Sequence, residues 1–75
     1  MIKEHDRVVL RKPIPKDELE AGDIGTVVHI YQDGLAYEVE FITLNGDTFA
    51  VVTLEADHVR PISNREIALA RELEY

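Results

Sequence analysis

The chain contains no cysteine and no tryptophan. Without cysteine, disulfides and thiolate metal sites are excluded, and a cytoplasmic chain is the expectation. No apolar run approaches the roughly 18 residues of a membrane span. The charged opening Met1-Ile2-Lys3-Glu4-His5-Asp6 lacks the pattern of a signal peptide, so no membrane partner is expected. From Asp17 to Asp57 there is not one lysine or arginine. A nucleic-acid surface in that stretch would lack its electrostatic attraction, and nucleic acid is not the expected partner. No motif joins a nucleophile to a base, and a domain this small seldom builds a deep pocket, so neither an enzyme nor a cofactor site is expected. His5, His29 and His58 fall at no ligand spacing, and no metal is expected.

Acid is abundant. Fifteen Asp and Glu against eight Lys and Arg give a net charge of −7, a field that favours basic partners. Hydrophobic residues make up 45% of the 75, enough for a core in one domain near the lower size limit for folding without staples. The bases gather at Lys3, Arg7, Arg11, Lys12 and Lys16, with Arg60, Arg65 and Arg71 later, against the acidic middle.

That middle, Ile24 to Leu54, reads as three strands: 24–31, 35–42 and 48–54, rich in β-branched and aromatic residues. Asp33-Gly34 and Asn45-Gly46 separate them, and these are strong hairpin signals because both central residues of a type I′ turn need φ > 0. A first strand at His5–Leu10 ends where Pro13 and Pro15 remove ladder donors. Gly22 and Gly25 read as a turn and a bulge rather than a phosphate loop, since no helix follows. A 3₁₀ turn at Ala56–His58 should lead into a short last strand at Val59–Ile62, restricted to an edge or an end by Pro61.

Two-residue loops at both dipeptides would set the register. Ile30 then faces Tyr37, Val28 faces Val39 and Thr26 faces Phe41, while Phe41 faces Ala50, Val39 faces Val52 and Tyr37 faces Leu54. The inner face is expected to hold Ile24, Thr26, Val28, Ile30, Tyr37, Val39, Phe41, Ala50, Val52 and Leu54, completed by Val8, Leu10, Val59 and Ile62. A one-residue slip would turn a whole strand over. The outer face is expected to carry Val27, His29, Tyr31, Glu38, Glu40, Phe49 and Val51, with Ile42 and Thr53 beside them. His29 is placed opposite Glu38. Apolar surface around two carboxylates has two readings: the C-terminal helix or the Pro13–Gly22 loop folds over part of it, or a partner docks there, which makes this face the candidate partner-binding site.

Ser63-Asn64-Arg65-Glu66 has the spacing of a capping box and predicts a helix from Arg65 to Leu73 or Glu74, with Ile67, Ala70 and Leu73, or Leu69 and Leu73, on its apolar side. The expected fold class is therefore all-β: a small five-stranded SH3-like barrel over residues 1–62, with an added C-terminal α-helix in residues 63–75 of the same domain.

Five segments carry a resemblance: His5–Leu10, Ala21–Val28, Ala36–Phe41, Val51–Leu54 and Val59–Pro61. Their order is similar to the bacterial "domain of unknown function 4926" family, over about residues 4 to 62. The resemblance implies a small SH3-like barrel with no established catalytic residues to carry over. Some members stand beside genes for toxin-like proteins, which implies an antitoxin- or immunity-like role. The functional expectation is a non-enzymatic protein-binding module that occludes a basic toxin through its acidic and apolar sheet face. A homodimer formed through this face or a strand edge is the alternative to a monomer with a foreign partner, and a nucleic-acid-binding module is a third reading.

Overall fold

The computed structural model describes residues 1–73. Five antiparallel strands form one sheet: β1 (Arg7–Leu10), β2 (Ile24–Tyr31), β3 (Ala36–Ile42), β4 (Thr48–Glu55) and β5 (Val59–Pro61). Their spatial order is β4-β3-β2-β1-β5. The expected 3₁₀ turn occupies Ala56–His58 and leads straight into β5, and a second short turn covers Pro15–Asp17. Among the described residues no helix is long and apolar enough to cross a membrane.

The sheet curls strongly. Edge strands of a flat five-stranded sheet stand about 19 Å apart, four spacings of roughly 4.8 Å. Here three residues connect β4 to β5, so Glu55 and Val59 stand four steps apart, a reach of about 14 Å at most. The curl brings Leu54 of β4 and Val59 of β5 into one core with Val8, Leu10, Leu19, Val27, Tyr37, Val39 and Phe41. Yet the expected closed barrel does not form: β4 and β5 remain the two ends of an open sheet.

The expected C-terminal helix is also absent. Residues 66–73 carry no regular secondary structure, and Glu74 lies outside the described residues. Half of the capping box does form, since the Glu66 carboxylate accepts the Ser63 amide at 2.7 Å. That same carboxylate is gripped by the Arg60 guanidinium at 2.9 and 2.5 Å. Further on, Arg71 reaches back to Asp23 at 2.8 and 2.6 Å and to the Glu18 carbonyl at 3.0 Å. The two arginine clamps hold the segment stretched along the body. A helix this short needs a packed apolar side, and Ile67 and Leu69 are instead 90% and 92% exposed.

Register decides which residues face inward. The first hairpin turns through Gln32, Asp33 and Gly34, with φ of 51°, 57° and 102°, and Ile30 pairs with Tyr37 as expected. Farther along β2 the ladder slips by one residue between Val27 and His29. Val27 therefore faces Val39, and Thr26 faces Glu40. The sequence expectation put Val28 inside and Val27 outside; the bulge reverses both, leaving Val27 fully buried and Val28 37% exposed. Gly25 shows why the inner layer admits this. A β-carbon there would lie 2.5 Å from Val39 Cγ1 and 2.9 Å from Phe41 Cε2, so glycine lets β2 press against the β3 side chains.

The second hairpin departs and recovers. Thr43, not Leu44, closes the loop, with its amide donating to the Asp47 carbonyl at 2.8 Å. A further irregularity between Phe41 and Ile42 accommodates Phe49 as an extra residue of β4. The two shifts cancel, so Phe41–Ala50, Val39–Val52 and Tyr37–Leu54 pair as expected. Leu19, a buried core residue, comes from the first loop, tied by paired backbone bonds to Ile14.

Candidate functional site

The solvent side of β2, β3 and β4 is a small grid. Tyr31 pairs with Ala36 and, beyond it, Glu55. His29 pairs with Glu38 and then Thr53; Thr26 pairs with Glu40 and then Val51; Ile42 pairs with Thr48. Five of the seven residues expected here, His29, Tyr31, Glu38, Glu40 and Val51, share this face. Val27 does not: the β2 bulge carries it into the core. Phe49 does not share it squarely either. The bulge in β4 re-aims it, and its ring packs against the core cluster as a partly buried side chain. Val51 is 50% exposed and Ile42 54% exposed, so the apolar surface of the face comes from these two with the Tyr31 ring.

Both carboxylates are held in place. The Tyr31 hydroxyl donates to Glu38 Oε1 at 2.6 Å, and the Thr48 hydroxyl donates to Glu40 Oε2 at 2.6 Å. The bond to Glu38, then partial desolvation, raises the Tyr31 phenol above its ordinary value, because a phenolate beside a carboxylate is disfavoured. Residues two apart on a strand stand about 7 Å apart, so Glu38 and Glu40 present two fixed negative charges on one face. Each keeps acceptor capacity beyond its single bond, since an ionised carboxylate has about four lone-pair sites.

His29 does sit opposite Glu38 in the ladder, as the register required. Its charged neighbour is different. The His29 Nδ1 lies 3.7 Å from the Glu4 carboxylate, and its ring meets the Tyr31 ring edge-on at 4.5 Å between centroids. Glu38 is taken by Tyr31, which displaces the expected cross-strand pair.

Sequence reasoning missed two other features. Glu55, Asp57 and His58 each offer a donor atom within 4.8 Å of the others. The buried Nδ1 of His58 makes no hydrogen bond among the described residues, and Asp57 Oδ1 is 3.6 Å away. Glu55 and Asp57 are exposed, as acidic turn residues commonly are without any ion. The second feature is a groove of about 750 Å³ at the loop end of the sheet, between Leu19, Ile24, Phe41 and Phe49 and the stretched segment 68–73. Only the path of that segment creates it, and the sequence pattern had assigned the segment to a helix.

Fold and surface thus define a small all-β domain with one open, curled sheet and an acidic, partly apolar outer face. The family described as "Domain of unknown function (DUF4926)" matches residues 4–61, and the chain belongs to that family. No curated protein and no solved structure matches the chain. The matched region ends at Pro61, the last residue of β5, so the family unit is the sheet and the strapped segment lies beyond it.

Proposed function

We propose that this chain is a non-enzymatic protein-binding module of the bacterial cytoplasm that takes a basic protein partner on its outer sheet face. The observation that carries the reading is the pair of preorganised carboxylates, Glu38 and Glu40, set between the apolar surfaces of Tyr31, Ile42 and Val51. Charged groups already fixed in place lose little side-chain freedom on binding, and Arg or Lys of a partner would complete their acceptor sites. Tyr31 supplies an amphipathic anchor of the kind that dominates interface energetics. The absence of Lys and Arg from Asp17 to Asp57 leaves this field uncompensated on the middle of the chain. An antitoxin- or immunity-like role follows the same chemistry: the face would occlude the substrate-binding bases of a toxin such as a nuclease.

The test is the double variant Glu38→Lys, Glu40→Lys. Both positions are on the solvent side, so the sheet should persist, while capture of the basic partner should be lost. Retention of the same partner by the double variant would refute the interface.

A further inference from the structure

The two edges of the sheet are guarded unequally. β5 is three residues long and ends on Pro61, and shortness and proline both blunt an edge against a further strand. β4 runs for eight residues, Thr48–Glu55, with no proline and no charge before Glu55, and among the described residues β3 is its only neighbour in the sheet. Its one irregularity lies at Phe49, near the start.

The backbone direction of β4 is fixed at both ends. The Ala56 amide donates to the Leu35 carbonyl at 3.0 Å, and the Thr43 amide donates to the Asp47 carbonyl at 2.8 Å. In an antiparallel ladder alternate residues bond to opposite sides. Tyr37, Val39 and Phe41 therefore turn their backbone groups toward β4, and Leu54, Val52 and Ala50 turn back toward β3. Val51, Thr53 and Glu55 are left with N–H and C=O groups directed away from the sheet, and all three residues are exposed.

Charge selects what can add there. Asp47 brackets the strand at one end, and Glu55 and Asp57 bracket it at the other. A second copy pairing antiparallel about Val52 would bring Val51 against Thr53, a compatible pair. It would also gather the acidic ends of both strands, Asp47 of one copy and Glu55 with Asp57 of the other, at each end of the seam, on molecules already carrying −7. Like charges placed opposite each other are destabilising. A foreign strand with basic residues at both ends meets opposite charge at those positions.

We propose that the β4 edge is a strand-addition site for an extended segment with a β-branched centre and Lys or Arg at each end. This rests on the protein-binding reading above and names the element of the partner that is held. Backbone bonding to Val51 and Thr53 supplies the attachment, and the bracketing acids set its specificity.

The experiment titrates the isotopically labelled full chain with the synthetic peptide KKTVTVTKK at low salt and follows amide hydrogen exchange. Val51 and Thr53 amides should slow about tenfold or more at saturation, each gaining a partner of its own. The same peptide with N-methyl groups on its bonding edge, or with Glu replacing each Lys, should bind about tenfold more weakly or worse. Val51→Pro removes an outward N–H without touching the β3 ladder and should weaken binding similarly.

Absence of peptide binding would overturn the proposal, as would full affinity of the N-methylated peptide. If the peptide perturbs Glu38 and Glu40 while Val51 and Thr53 exchange at their free rates, the edge site fails and the outer-face reading survives. Concentration-dependent protection of Val51 and Thr53 in the chain alone would identify a second copy as the occupant, and the proposal would fall.

Discussion

Truncating Val27 and Val28 to alanine, one at a time, isolates the consequence of the β2 bulge. Val27 is fully buried opposite Val39, and Val28 is 37% exposed. Val27→Ala removes two buried carbons worth about 0.8 kcal/mol each, about 1.6 kcal/mol. The cavity left behind raises the cost to about 2–3 kcal/mol. For a chain of 75 residues the whole folding stability is about 4–11 kcal/mol. The variant therefore remains folded, with Tm lower by about 10–20 °C. Val28→Ala should stay within about 0.5 kcal/mol of the parent. Urea unfolding followed by far-UV circular dichroism measures both, and an unchanged slope would show that stability alone has moved. A regular β2 without the bulge inverts the ranking. If Val28→Ala proved the costlier change, the register would be wrong, and Val27 would return to the outer face.

Gly25→Ala should cost about 1–3 kcal/mol by overpacking against Val39 and Phe41, and a cost below about 0.5 kcal/mol in the same assay would show that the strands do not approach so closely. The Tyr31 phenol should ionise above the ordinary tyrosine value near 10 in an ultraviolet titration, and Glu38→Gln should bring it down. An unchanged titration would place the Glu38 carboxylate elsewhere. Arg71→Ala should free the C-terminal segment, seen as faster tryptic cleavage after Arg65 with little change in Tm, and equal cleavage rates would remove the clamp. In acid the segment should loosen in the same sense. Burial pushes the Asp23 carboxyl up, but bonds from Arg71 and the Glu20 amide leave it below its ordinary value, and Arg60 with the Ser63 amide holds Glu66 down to about 2. Both contributions are present above the usual carboxylate range and are lost as pH falls through those depressed values. Amide shifts of residues 63–72 followed from pH 5 to about pH 2 would report it.

The five strands along the chain and the core pairing of β3 with β4 were legible because local turn chemistry and strand composition agree. Asp33-Gly34 gave the first hairpin its register, and Ala56–His58 with Pro61 set the short last strand. What was not legible came from non-local forces. Nothing in Thr26-Val27-Val28-His29 announces a bulge; two consecutive valines suit either face, and the choice is made by Gly25 packing on Val39 and Phe41. The second hairpin was right in its core for a reason the dipeptide does not contain, since a longer loop and the extra Phe49 offset each other. The helix failed because propensity is local, while Glu66 and Arg71 take their partners, Arg60 on the one hand and Asp23 with the Glu18 carbonyl on the other, from the folded body. Of the expected site, Glu38, Glu40, His29, Tyr31 and Val51 followed from alternation alone, and Val27 and Phe49 left it at the two bulges.

Glu38 and Glu40 on the outer face are the residues proposed to hold a basic protein partner. Quantitative affinity capture from the native cell, comparing the parent chain with Glu38→Lys, Glu40→Lys at matched Tm, tests this role most directly. A basic protein should be enriched by the parent and reduced to background with the double variant. Equal enrichment by both chains would contradict this role.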